Sequence, residues 1–161
     1  MLKTKMILIV VIAILVVLCV ILGIWRLVFS RPNPPLHITR ITIENAVFSV
    51  EVASTTIEQA RGLSGRAGLG QNEGMLFLFN SPGVQNFWMN DMKFPIDMVW
   101  IGGGKVLGFA ENALPQPGAP LWSLRIYSSP GGVDTVLEVN AGTVAKDGIK
   151  VGDVVTISGV K

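Results

Sequence analysis

Apolar residues along this chain fall into two patterns. From Met6 to Trp25 every position is apolar or glycine, with Lys3 and Lys5 before the run and Arg26 after it. At 1.5 Å of rise per residue those 20 positions make about 30 Å of helix, which matches the hydrocarbon thickness of a bilayer. Beyond Pro35 the apolar residues come instead in short runs punctuated by Gly, Pro, Asn and Asp, the pattern of strands joined by tight turns.

Residues 36–43 and 46–53 predict a hairpin around Glu44-Asn45, the second run alternating Phe48, Val50 and Val52 against Ser49 and Glu51. Thr55-x-x-Glu58 is a capping-box pattern, and a short helix over 56–61 is expected, stopped by Gly62. Met75 to Phe79 is continuously apolar, as a strand covered on both faces would be. Further strands are expected over 85–90, 96–101 and 105–110, the last two flanking Gly102-Gly103-Gly104, where a tight turn needs positive φ. Pro115 to Pro120 reads as a loop, after which 121–128 return to the sheet. Residues 133–139 alternate Val133, Thr135, Leu137 and Val139 against Asp134 and Glu138, predicting one buried face. Residues 141–147 make at most a short helix and 154–157 a closing strand. Seven or eight short strands between Gly and Pro turns indicate a mainly β domain, a sandwich or barrel.

The division expected is a cytoplasmic tail at 1–5, a transmembrane anchor at 6–29, a Pro-rich stalk at 30–35 and one β domain over 36–161. Cleavage of the anchor is not expected, since the run ends in Gly23-Ile24-Trp25-Arg26-Leu27 rather than a small-x-small site. Leu18 before Cys19 is a poor lipidation signal. A core helix of this composition would need apolar partners on all faces, so the bilayer is the expected partner of 6–29. The flanking charges, Lys3 and Lys5 against Arg26, Arg31 and Arg40, leave orientation undecided. A short tail before a long apolar run behaves as a signal anchor, so the expectation is a single-pass cell-membrane protein with its β domain extracytoplasmic. Arg31-Pro32-Asn33-Pro34-Pro35 is read as a stiff extended spacer.

Charge and rare residues narrow the chemistry. From Arg31 onward ten Lys and Arg face eleven Asp and Glu, so the domain carries no basic stripe and nucleic acid is not an expected partner. Cys19 lies in the apolar run and His37 is the single histidine. Thiol proteases, His-ligated metal hydrolases and Cys-based redox sites therefore lack their reagents, and no cofactor or metal is expected. Acidic residues lack the dense Asp-x-Asp spacing of a calcium loop. Ser64, Ser128 and Ser129 have only stalk-proximal His37 to complete a triad.

Three segments, in order, resemble the bacterial and archaeal family DUF192. They are Arg61-Gly62-Leu63-Ser64-Gly65-Arg66 running to Gly74-Met75-Leu76-Phe77-Leu78-Phe79; Phe87-Trp88-Met89-Asn90-Asp91-Met92-Lys93-Phe94-Pro95-Ile96-Asp97; and Leu137-Glu138-Val139-Asn140-Ala141-Gly142 leading to Gly152-Asp153. The family usually has Lys where Asn90 stands and often Asn-Thr where Asp91-Met92 stands, which puts a cationic role at 90 in doubt. The resemblance implies a β-sandwich of jelly-roll type with one or two short helices, and no activity.

Candidate site residues follow from side-chain chemistry. Trp88 beside Asn90 and Asp91 can grip a carbohydrate or peptide, the ring covering C–H surface while amide and carboxylate fix orientation; alternatively Trp88 is core and Asn90-Asp91 a turn. Asp97 sits in the apolar run Phe94–Trp100 and needs a partner, with Arg61 or Arg66 the candidates for a bidentate clasp. In the other reading Arg61, Arg66, Asp91 and Asp97 line one pocket. Glu73 and Glu138 could join Asp97 in a carboxylate pair for glycoside hydrolysis, though solvated surface charge is the ordinary role of such residues. The expected function is a non-catalytic module binding a ligand, such as a glycan, or an envelope protein through Arg61, Arg66, Trp88, Asn90 and Asp91. Its rivals are a carboxylate-dependent glycan-processing enzyme and a structural accessory subunit of an envelope complex.

Overall fold

A computed structural model describes residues 2–29 and 31–159, with the side chains of 2–4 and 25–29 left out. Met1, Ser30 and the last two residues lie outside the described residues, as do the side chains of Lys3, Trp25 and Arg26 used in the anchor argument. Helix α1 spans Leu2–Phe29. No residue of its apolar stretch Lys5–Ile24 is buried, unlike a core helix. By length and composition it could cross a membrane.

Nine strands follow: β1 (Ile38–Ile43), β2 (Ala46–Ala53), β3 (Glu73–Gly83), β4 (Asn86–Trp88), β5 (Ile96–Gly102), β6 (Lys105–Ala113), β7 (Ile126–Ser128), β8 (Val133–Asn140) and β9 (Val155–Ser158). Two short helices lie between them, α2 (Thr56–Arg61) and α3 (Thr143–Asp147), together with a single 3-10 turn at Leu121–Ser123. The mainly β class follows the expectation. Its arrangement differs from stacked jelly-roll sheets, because seven strands form one continuous sheet in the order β6-β5-β8-β3-β2-β1-β9, with β4 and β7 paired in a separate ribbon. All its neighbours are antiparallel except β2 and β3, which α2 and the loop after it connect.

The sheet curls until its two ends meet. Val106 N donates to Asp153 O at 3.0 Å, Gly152 N to Val106 O at 2.8 Å and Val155 N to Gly104 O at 2.9 Å. Backbone groups that an open edge would leave for another chain are thereby paired. Alternating side chains then divide into two cores. Ile41, Phe48, Val50, Leu76, Val99, Leu137 and Val139 fill the concave side, plugged by Val144 and Ile149 around α3. Met75, Phe77, Met98, Trp100 and Val136 point to the convex side, where Leu63, Met89, Met92 and partly buried Phe87 cover them. Complete burial of each large side chain contributes roughly 1.5–3 kcal/mol.

Glycine is required where β3 meets β8: a Cβ on Gly74 would lie 2.5 Å from Glu138 O, so only a hydrogen fits. The predicted capping box is present, with Glu58 N bonded to Thr55 Oγ1 at 3.3 Å and Thr55 N bonded to Glu58 Oε2 at 2.9 Å. The stalk is less of a spacer than its prolines suggested. Asn33 is buried, and its Nδ2 donates to Glu58 O at 2.9 Å and Gly62 O at 3.1 Å, pinning the stalk to the C-terminal end of α2; its buried Oδ1 has no partner.

Candidate functional site

On the convex side, β8 places Glu138 opposite Met75 of β3 and Met98 of β5. A cleft of about 110 Å³ opens over it. One wall is the end of α2 and the following turn, Gln59 to Ser64, and the other is Gln85 to Trp88 around β4. Gln59 Nε2 donates to Leu78 O at 2.6 Å, which seats α2 on the sheet. Gly62 turns the chain with φ 48° and passes close to Phe77, where a Cβ would meet the ring at 3.3 Å. Across the cleft Phe87 stands edge-on to Phe77 at 4.9 Å and to Trp100 at 5.6 Å between centroids, fixing the ribbon to the sheet.

Glu138 is the anomalous group here. Only 5% of it is exposed, and burial alone pushes its carboxyl up to about 8, with no hydrogen bond or neighbouring charge offsetting the shift. Around neutral pH it is therefore mostly a neutral acid that can both donate and accept a hydrogen bond. Its surroundings mix amides (Gln59, Gln85, Asn86) and a hydroxyl (Ser64) with aromatic rings (Phe77, Phe87, Trp88). Trp88 is 46% exposed at the cleft, so the indole face is offered to solvent rather than spent in the core; the core tryptophan is Trp100.

The other expected residues are dispersed. Arg61 lines the cleft. Arg66 does not reach Asp97: it forms a fork with Glu51, Nη1 to Oε1 at 2.5 Å and Nη2 to Oε2 at 2.7 Å. That pairing holds the Glu51 carboxyl below its usual range, against the opposing effect of burial. Asp97, completely buried, takes Asn112 N on Oδ1 at 2.8 Å and Val144 N on Oδ2 at 2.9 Å. The expected arginine clasp is thus replaced by two backbone amides, and Asp97 ties β6 and the first turn of α3 to β5. Asn90 and Asp91 form the turn of the bland alternative: Asp91 has φ 53°, Asn90 O accepts from Ser64 Oγ at 2.7 Å and Asp91 O accepts from Gly65 N at 2.9 Å. Their side chains border a second depression, beside Lys93 and the 116–124 loop. Arg61, Arg66, Asp91 and Asp97 therefore do not share one pocket.

The carboxylates of the hydrolytic reading are likewise apart. Glu138 is the one carboxylate among the described residues lining the cleft. Glu73 turns back to accept from Gly70 N at 2.8 Å, and Asp97 pairs in register with Val139, which puts it on the opposite face of the sheet from Glu138. The alternation over residues 133–139 predicts Glu138 on the solvated side of a half-buried strand, whereas the structure buries it. Val136 was the contrary signal, an apolar residue on that supposedly wet side.

The chain belongs to the family DUF192, described as uncharacterized ACR, whose sequence profile matches residues 39–157. No curated protein matches the chain. A protein of unknown function from Novosphingobium aromaticivorans DSM 12444, whose crystal structure was determined at 1.22 Å, is 36% identical with a TM-score of 0.70, over 79% of this chain and 90% of that one. A Sinorhizobium meliloti 1021 protein, provisionally called a transcription regulator, is 30% identical with a TM-score of 0.70, over 80% of this chain and 99% of that one.

Proposed function

We propose that this DUF192 member is a membrane-tethered, extracytoplasmic binding module without catalytic activity, and that the cleft over Glu138 takes a small neutral group rich in hydroxyls, such as one residue of an envelope glycan. The observation that carries the reading is a carboxyl, raised by burial alone, set in the lining of an open cleft. A protonated carboxyl both donates to and accepts from a ligand hydroxyl. Trp88 supplies a flat apolar surface for C–H groups, and the surrounding amides supply the directional bonds that select a polyol over a hydrocarbon. A glycosidase would need a second carboxyl about 5–9 Å from the first, and the described lining of the cleft offers only Glu138. Tethering is supported by α1, whose apolar stretch Lys5–Ile24 has no buried residue and is long enough to cross a bilayer.

Thermal melting of the detergent-solubilised full chain against mono- and oligosaccharides tests this. A true ligand at a hundred times its dissociation constant should add about 2.7 kcal/mol of stability, and Trp88→Ala or Glu138→Gln should each remove about half of that gain. If no saccharide raises the melting temperature, or if the gain survives both substitutions, the cleft is not a glycan site.

A further inference from the structure

The segment Leu114–Leu124 has the sequence Leu-Pro-Gln-Pro-Gly-Ala-Pro-Leu-Trp-Ser-Leu and carries no charge. Three of its large side chains face outward, Trp122 being 89% exposed, Leu114 57% and Leu121 49%, while Leu124 is buried. Three prolines hold the loop stiff, so this apolar tip is displayed rather than left to fold back. Exposed indole and leucine on a rigid tip mark an interaction surface.

Its position in the chain's own architecture identifies the partner. Leu22 and Gly23, in the last turns of the apolar stretch of α1, border the same depression as residues 116–122. The stalk adds a second constraint: only three residues separate Phe29 from Asn33, and Asn33 is bonded to α2. Four chain steps reach at most about 14 Å, so the domain cannot swing far from the end of α1. If α1 spans a bilayer, the tip lies at the depth where hydrocarbon gives way to headgroups. Tryptophan concentrates at that depth, its ring in the apolar zone and its N–H among polar groups. Lys93, exposed on the same depression, and Arg125, stacked on Tyr127 at 4.8 Å, stand beside the tip with charge suited to phosphate headgroups, Asp91 being the one acid there.

We infer that the Leu121-Trp122 tip inserts into the outer interfacial layer of the membrane that holds α1, giving the domain a second contact and a fixed tilt over the bilayer. This rests on the membrane-anchor reading, and the test separates the two. In the full chain with Cys19→Ser, reconstituted into vesicles of phosphatidylcholine and phosphatidylglycerol, single nitroxides are attached after Val16→Cys, Trp122→Cys or Lys146→Cys. Lys146 borders the pocket that contains Ala46, at the far end of β2 from α2, and serves as the aqueous reference; Val16 is the lipid reference. The expected result is that the label at 122 loses most of its collisions with an aqueous nickel chelate and gains collisions with oxygen, approaching the label at 16. A label at 122 that behaves like the one at 146, while 16 lies in lipid, overturns the insertion and leaves the anchor standing. Aqueous behaviour at 16 as well overturns both. Because the label replaces the indole itself, a second measurement uses native tryptophan: quenching by lipids brominated high on the acyl chain should fall on Trp122→Phe, and unchanged quenching would overturn the proposal.

Discussion

Asp97 and Glu138 are both buried acids on neighbouring strands, one residue out of step in the same ladder, yet they have opposite characters. Asp97 faces the concave side and spends both oxygens on the amides of Asn112 and Val144. Glu138 faces the convex side, and nothing offsets its burial. The first stabilises the fold by joining three elements, whereas the second weakens it at neutral pH in exchange for a polar group at the base of a cleft. Burial of a carboxyl does not by itself distinguish structure from function; the presence or absence of partners does.

The largest expected effect concerns Glu138 and pH. Its folded value is raised, so below about pH 4.5 the acid is protonated in both folded and unfolded chains and contributes no pH dependence. Between there and about pH 8 the unfolded chain releases the proton while the folded chain keeps it, and stability falls. At roughly 1.4 kcal/mol per unit of displacement, the loss approaches about 5 kcal/mol as a ceiling. Denaturation of Glu138→Gln should therefore show a markedly flatter profile from pH 5 to 8 than the parent chain; parallel profiles would mean that Glu138 is not buried alone. Asp97→Ala should act in the opposite direction, lowering stability by roughly 3 kcal/mol at neutral pH by stranding two amides, and an unchanged melting temperature would refute the tie.

A smaller effect is expected at the Arg66–Glu51 fork, which is about four-fifths buried on each side chain. Arg66→Leu should cost about 1–2 kcal/mol at neutral pH. Because the Glu51 value is depressed, that contribution should fade as pH falls through the carboxylate range, the opposite trend to Glu138. Trp88→Ala should change stability least, by about 0.5 kcal/mol or less, while lowering ligand affinity about tenfold, equivalent to roughly 1.4 kcal/mol. A loss of stability larger than the loss of binding would return Trp88 to a structural role.

Local signals predicted local structure well. The alternation in β2, the capping box at Thr55 and Glu58, and the Gly103-Gly104 turn, with φ of 58° and 71°, are each decided within a few residues. Hairpin partners were legible, as β1–β2 and β5–β6 show, but distant ones were not, because the curl that joins β6 to the Gly152–Val155 segment depends on contacts across some fifty residues of chain. The same applies to the site. Asp97 was recognisable as a buried acid needing a partner, but arginine was the only partner the sequence could suggest, since backbone amides leave no mark in the side-chain pattern. Glu138 was misplaced because one-face alternation presumes an uncovered second face, and the β4–β7 ribbon that covers it is only three residues wide on each side.

Strand β9, at the end of the described chain, pairs with β1, the first strand after α1. The ring of hydrogen bonds therefore cannot shut until the chain through residue 157 is available to meet residue 41. Until then β1 keeps one edge without its neighbour, so the seam between β1 and β9 is the latest contact these strands can make.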